Sequence, residues 1–180
     1  MPHHKHIIAG ITGSVAACRA PDIIGRLAGP THTIRCVCTA SALHFIEIGC
    51  LEALTGQKVY VNLFSGTDEP RNPQHITLAD SDLVLVAPAT ANIIGKVACG
   101  IADDLLSSVI MATKAPVIFA PAMNEKMYTN PIVQSNITRL EKLGYQFIGP
   151  VRGRLACGTE GMGHIASTDA IVAAAEKALT

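Results

Sequence analysis

Small polar residues recur in this chain where apolar runs stop. In the segment Asp82-Leu-Val-Leu-Val-Ala-Pro-Ala-Thr-Ala-Asn92 a fully apolar run gives way to a hydroxyl and an amide, Thr90 and Asn92. A second run, 117–120, ends the same way in Pro121-Ala-Met-Asn124, a third, 7–11, in Thr12-Gly13-Ser14, and a fourth, 33–39, in Thr39 and Ser41. Neutral hydroxyls and amides, with the free N–H groups that open a helix, suit phosphate and other oxygen-rich ligands. Gly13 permits close backbone approach, and Ser14 can cap the helix that follows. The plainer reading of each pair is an N-cap and no more, and for a lone Thr-x-Asn it is the commoner one. His75 is the proton-transfer candidate. It follows the Ser-, Gly-, Asp-, Pro- and Asn-rich stretch 64–74, which reads as a loop long enough to be functional.

The elements that must position these residues follow from the same runs. Residues 83–87 read as a strand buried on both faces, ended by Pro88, which is the pattern of a parallel sheet covered by helices. In such sheets the carboxyl edge of the strands is where ligands bind. Residues 15–27 show helical spacing that Pro21 kinks or restarts, with Asp22 in the new first turn. Residues 33–39 form a strand with Ile34, Cys36 and Cys38 on one face. Residues 42–54 read as helix broken near Gly49, 59–63 as a short strand, and 76–79 as a short amphipathic piece. Helical spacing runs on from Ile93 to Ile110 with a break at Gly100. A strand at 117–120, a helix at 132–143 stopped by Gly144, and a strand at 145–148 come next. Residues 149–163 read as loop, and Asp169 as the cap of a last Ala-rich helix.

Composition narrows the class. With 180 residues the chain reads as one domain, 1–180, large enough to bury a core without disulfides or metal. It is 49% hydrophobic and 16% charged, without Trp, so the core must be Ile, Val, Leu and Ala. Zero formal net charge and a pI near 7.0 supply no field for nucleic acid or an anionic membrane. No segment has the length to cross a bilayer. The six cysteines contain no CxxC pair, and four of them lie in apolar runs, which points to reduced thiols in a cytoplasmic protein. His3, His4 and His6 read as a solvated terminus, and no metal site is expected.

Four segments together resemble the homo-oligomeric flavin-containing cysteine decarboxylases, most nearly the branch acting on phosphopantothenoylcysteine. The Gly13-Ser14 turn is similar to the family's first flavin loop. Pro88-Ala-Thr-Ala-Asn92 resembles its Pro-Ala-Ser-Ala-Asn motif, and Pro121-Ala-Met-Asn-Glu-Lys-Met-Tyr128 its Pro-x-Met-Asn-x-x-Met-Trp motif. Ala156-Cys-Gly-Thr-Glu-Gly-Met-Gly163 resembles its Cys-Gly-rich flap. The sequence departs from the pattern at Tyr128, where Trp is usual, at 76–80, which lacks the family's Trp after the histidine, and at His164, where Arg is usual.

The resemblance implies a doubly wound α/β sheet, Rossmann-like or flavodoxin-like, with helices on both faces and FMN at its edge. Gly13, Ser14, Thr39, Ser41, Thr90 and Asn92 are then the expected cofactor contacts. By the same similarity His75 and Cys157 are catalytic and Asn124 binds the substrate carboxylate, flanked by Met123 and Ala122. The implied reaction turns 4'-phosphopantothenoylcysteine into 4'-phosphopantetheine through a thioaldehyde and an enethiol. Cys157 then supplies a proton in the reducing step, for which a thiol of ordinary pKa near ~8.5 is suited. The implied assembly is a homotrimer, or a dodecamer of trimers, whose flavin site a neighbouring subunit completes. Because residues 1–180 leave no room for the ligase often fused to such enzymes, a separate ligase is implied. A peptidyl-cysteine decarboxylase, a flavin prenyltransferase and a non-catalytic flavin-binding subunit are the rival readings, and His75, Asn124 and Cys157 together weigh against them.

Overall fold

A computed structural model describes residues 4–64, 73–156 and 158–180. Its centre is a five-stranded sheet in the order β2-β1-β3-β4-β5, all parallel, built from β1 (Lys5–Ile11), β2 (His32–Cys38), β3 (Leu83–Ala89), β4 (Val117–Pro121) and β5 (Gln146–Phe147). That order is the flavodoxin-like one, with its topological switch point between β1 and β3. All seven residues of β3 are buried, as a central strand covered on both faces requires.

Side-chain alternation sends the strands' residues to two cores. Ile7, Ile11, Ile34, Cys36, Cys38, Leu83 and Leu85 pack with α1 (Ala20–Leu27), α2 (Ile48–Thr55) and α8 (Thr168–Leu179). Ile8, Val37, Val84, Val86 and Phe119 pack on the opposite face with α3 (Gln74–Ala79), α4 (Ala91–Ala98), α5 (Leu105–Ala112) and α7 (Pro131–Lys142). Phe119 stacks on Phe147 with ring centroids 5.2 Å apart, which anchors the two-residue edge strand β5.

The helix signals at Pro21 and Gly100 hold. A 3-10 turn, Val15–Arg19, precedes α1, and Pro21 sits in the first turn of α1 with Asp22 beside it. Gly100, at φ +71°, separates α4 from α5, and Asp104 closes a capping box with Ser107 at the start of α5.

Several expectations are corrected. Pro88 does not end β3, which continues to Ala89: the β3–β4 register shifts between Val86 and Ala89, and at such an irregularity a residue without an N–H is tolerated. The break in the second helical stretch falls between a 3-10 turn, Ala40–His44, and α2, with Gly49 inside α2. Residues 59–63 form only a bridge, Tyr60 to Val37, rather than a strand. The last helix is capped by Ser167, with Asp169 in its first turn. The largest difference is at 149–163, read as loop, where β6 (Val151–Arg154) and β7 (Glu160–His164) pair as an antiparallel hairpin. A one-turn helix, α6 (Glu125–Tyr128), also follows β4. Residues 65–72, most of the expected loop before His75, lie outside the described residues, as does Cys157. Among the described residues no helix is long and apolar enough to cross a membrane.

Candidate functional site

The site is built from the switch point outward. Thr12, 1% exposed at the end of β1, donates its hydroxyl proton to the carbonyl of Pro88 (2.7 Å) and accepts from the amide of Thr90 (3.1 Å). This single side chain joins the carboxyl ends of β1 and β3. The loop at Gly13 runs against the loop after β2 so closely that a Cβ on Gly13 would lie 2.5 Å from the Cβ of Ser41. Only glycine permits that contact. Ser14 accepts from the amide of Ala16 (3.3 Å) and opens the 3-10 turn, while Thr90 caps α4. Asn92 is exposed in the first turn of α4.

Thr39 carries the clearest sign of a ligand. Its Oγ1 is buried and has no hydrogen-bond partner among the described residues. An unmet buried hydroxyl costs about 1–3 kcal/mol, so a partner from outside the chain is called for. The surrounding groups fit a flavin mononucleotide: hydroxyls at Ser14, Thr39, Ser41 and Thr90, an amide at Asn92, and the N-terminus of the eight-residue α4. These are neutral donors and acceptors of the kind that hold a ribityl chain and a phosphate.

A cleft of about 630 Å³ opens beside this edge, lined by Ser14, Met123, Asn124, Arg154 and His164 among others. Its floor is tied to the sheet because the Ala122 amide donates to the Ala89 carbonyl (3.0 Å). Its wall is the β6–β7 hairpin: the Met123 amide donates to the carbonyl of Gly163 (3.0 Å). A Cβ at Gly163, φ +130°, would come within 2.1 Å of the Met123 carbonyl oxygen, so the contact requires glycine. Asn124 is the N-cap of α6 and accepts from the Lys126 amide (2.9 Å), which fixes its side chain at the cleft. Arg19 and Arg154 line the cleft, and none of its described lining residues is a carboxylate.

Of the expected residues, Ser14, Ala122, Met123 and Asn124 meet in this cleft, while Gly13 and Ser41 touch just beyond it and Thr90 lies across Thr12. His75 is elsewhere. It lines a second cleft, with Phe64, Ile76, Ser108 and Met111, away from Asn124 in the same chain. Cys157 lies outside the described residues. Cys36 and Cys38 are buried in the core on one face of the sheet. Burial pushes both thiols up to about 12, with the neighbouring Cys38 adding to the effect at Cys36. Sequence reasoning missed Thr12 and Arg154. The signal for Thr12 was present, a hydroxyl directly after an apolar strand, but it reads as the strand's end. Arg154 lay in a segment taken for loop.

Known proteins resemble this chain over nearly its whole length. The chain is 41% identical over 178 residues to the probable phosphopantothenoylcysteine decarboxylase of Streptococcus mutans, covering 97% of this chain and 99% of that protein. It is 40% identical to the coenzyme A biosynthesis bifunctional protein CoaBC of Bacillus subtilis, covering 98% of this chain. The chain spans only 44% of that bifunctional protein's length. Among solved structures, a phosphopantothenoylcysteine decarboxylase mutant complexed with pantothenoylaminoethenethiol superposes with a TM-score of 0.86 at 30% identity, covering 97% of this chain and 98% of that one. The FMN-binding protein AtHal3 superposes with a TM-score of 0.83 at 31% identity, covering 97% and 96%. A family model matches residues 1–180 from end to end, and the chain belongs to the Flavoprotein family.

Proposed function

We propose that residues 1–180 form a single flavoprotein domain that decarboxylates 4'-phosphopantothenoylcysteine to 4'-phosphopantetheine with FMN, a step of coenzyme A biosynthesis in the cytoplasm. The observation that carries the reading is the placement of Asn124 in a cleft at the carboxyl edge of the sheet, the edge that also carries the orphaned Thr39 hydroxyl. The similarity to the Streptococcus mutans protein over 99% of its length supports the choice of substrate.

Bound FMN supplies a two-electron acceptor and donor, so that the thiol carbon can be oxidised to a thioaldehyde and later returned to its starting level. The residues of the chain do the rest. Gly13, Ser14, Thr39, Ser41, Thr90 and Asn92 hold the cofactor. The Asn124 amide orients the substrate carboxylate, with Met123 and Ala122 beside it, and Arg19 and Arg154 offer positive charge to its phosphate. The His75 imidazole takes the proton from the substrate thiol as the C–H bond gives up its hydride. Carbon dioxide then leaves, and the bonding electrons left behind delocalise onto sulfur as an enethiolate. In the reducing half the Cys157 thiol would deliver a proton to the carbon that lost CO2 and regain one from solvent, so that, with the electrons returned from bound FMN, the net change is replacement of CO2 by a proton.

Because His75 and Asn124 line separate clefts of one chain, the reading includes a homotrimer, alone or built into a dodecamer, in which His75 of one subunit serves the Asn124 cleft of the next. The test is to incubate FMN-loaded protein with phosphopantothenoylcysteine and follow CO2 and product mass. His75→Asn and Asn124→Ala are each expected to abolish CO2 release, and subunit exchange between the two dead variants to restore part of it. Absence of CO2 from wild type sinks the reaction. Failure of the exchanged variants to recover sinks the shared site.

A further inference from the structure

One wall of the cleft hangs on a side chain that none of the proposed chemistry uses. Glu125 opens α6 immediately after Asn124, and its Oε1 accepts from the main-chain amide of Met162 in β7 (2.9 Å). The fit is close: a Cβ on Gly161 would lie 2.5 Å from Oε2 and 2.6 Å from the carboxyl carbon of Glu125. The carboxylate therefore fills the space that a side chain at 161 would otherwise occupy. Two residues earlier in the chain, the Met123 amide bonds the Gly163 carbonyl. The two contacts grip β7 at adjacent points, and the hairpin they hold supplies Arg154, Leu155, Gly158, Gly163 and His164 to the cleft. The hairpin has little packing of its own to fix it: Val151, Arg152, Arg154, Glu160 and His164 are exposed, and the antiparallel pair has only these two short strands.

We propose that Glu125 is a positioning residue for this reaction, a latch that holds the β6–β7 hairpin against the loop carrying Asn124 and so sets the width of the substrate cleft. The inference rests on the functional reading above for what the cleft binds, and on geometry alone for the latch. Two consecutive residues thus divide the work, Asn124 facing the substrate and Glu125 facing the wall. A charge-assisted bond to a main-chain N–H needs only an acceptor at this place, so Gln can substitute through its amide oxygen and Ala cannot.

The experiment compares wild type, Glu125→Ala, Glu125→Gln and Gly161→Ala as FMN-loaded proteins. Hydrogen exchange over 151–164 is read beside steady-state kinetics with phosphopantothenoylcysteine. Glu125→Ala is expected to speed exchange at the Met162 amide and raise KM about tenfold with a smaller change in kcat. Glu125→Gln is expected to stay within about threefold of wild type in KM. Gly161→Ala, which leaves Glu125 in place but evicts its carboxylate, is expected to reproduce Glu125→Ala, and to add little in the Glu125→Ala background, where the carboxylate is already gone. Unchanged exchange at Met162 in Glu125→Ala overturns the latch whether or not the protein turns over this substrate. Faster exchange with unchanged KM overturns its role in the cleft, as does a Gln variant as impaired as Ala. A wild type that shows the exchange differences but no turnover leaves the latch standing and overturns only the choice of reaction. Should Glu125→Ala fail to fold, Gly161→Ala carries the same comparison.

Discussion

The amide of Thr90 donates to the hydroxyl of Thr12 across the switch point, 3.1 Å away, while that same hydroxyl donates to the carbonyl of Pro88. Two main-chain groups that the parallel ladder leaves over at the end of β3 are thereby met by one buried side chain from the end of β1. Thr12→Val keeps the shape and removes both bonds, stranding a donor and an acceptor. A loss of about 2–4 kcal/mol in denaturant unfolding is expected, with Thr12→Ser close to wild type. A Val variant within ~0.5 kcal/mol of wild type would remove Thr12 from this role.

Thr39 predicts the opposite sign for the cofactor-free protein. Its orphaned Oγ1 is a burden until a ligand meets it, so Thr39→Val is expected to leave the FMN-free chain as stable as wild type or about 1 kcal/mol more stable. The same change is expected to weaken FMN binding by about tenfold, read by flavin fluorescence titration. Destabilisation of the FMN-free protein together with unaltered FMN affinity would show that the hydroxyl has a partner within the chain.

The Lys96, Asp103 and Asp104 cluster at the α4–α5 junction gives a pH dependence. Burial is the largest single influence on Asp104 and opposes its ionisation, but hydrogen bonds from Lys96 and Ser107 together outweigh it and hold its carboxyl below the usual range. A depressed folded-state pKa contributes stability that is fully present above the unfolded value of about 3.9 and is lost as pH falls through the lower folded value. For Lys96 burial again opposes charge and is outweighed by Asp103 and Asp104, raising its pKa, so its contribution persists until pH climbs through that raised value. Asp104→Ala, which also removes the cap of α5, is expected to cost about 1–2 kcal/mol at pH 7, a gap that narrows below about pH 4. A gap of constant size down to acid would refute the linkage.

The cysteines separate by burial. Cys18, Cys50 and Cys99 are exposed, whereas Cys36 and Cys38 are buried with thiols pushed up to about 12. Maleimide at pH 8 is expected to label the first three and spare Cys36 and Cys38 in the folded protein, with mass spectrometry of peptides as the readout. Labelling of Cys36 or Cys38 without unfolding would contradict the described packing of β2.

A separate variant addresses Cys157. Replacing it with Ser, too weak an acid at neutral pH, is expected to leave the first round of CO2 release intact, about one per flavin, and then to stall with the flavin reduced and an enethiol two hydrogens short of phosphopantetheine. Full conversion to phosphopantetheine by the variant would exclude Cys157 as the proton donor.

The sheet was legible because its strands are continuous apolar runs, and the four runs that stop in small polar residues do converge on one edge. What the sequence did not disclose was structure held by distant contacts. The β6–β7 hairpin has too many glycines and too few apolar residues to announce itself, and it forms where Met123 and Glu125 hold β7. The continuation of β3 through Pro88 depends on a register shift against β4, which no local pattern encodes. His75 and Asn124 were read as partners in one reaction, but no local pattern encodes which cleft a short helix such as α3 faces, and the two line different clefts of the chain.

The order of the strands also bears on how the chain reaches this fold. β1 is flanked by β2 on one side and by β3 on the other, with Ile7 opposite both Ile34 and Leu83. During synthesis from the N-terminus β1 and β2 can pair early, but the second edge of β1 stays open until β3 has left the ribosome. That open edge is a row of unpaired main-chain groups beside apolar side chains, the kind of surface on which nascent chains associate with one another. Slow passage through residues 39–82 therefore prolongs the interval of greatest aggregation risk, and a chain truncated before β3 is left with that edge permanently uncovered.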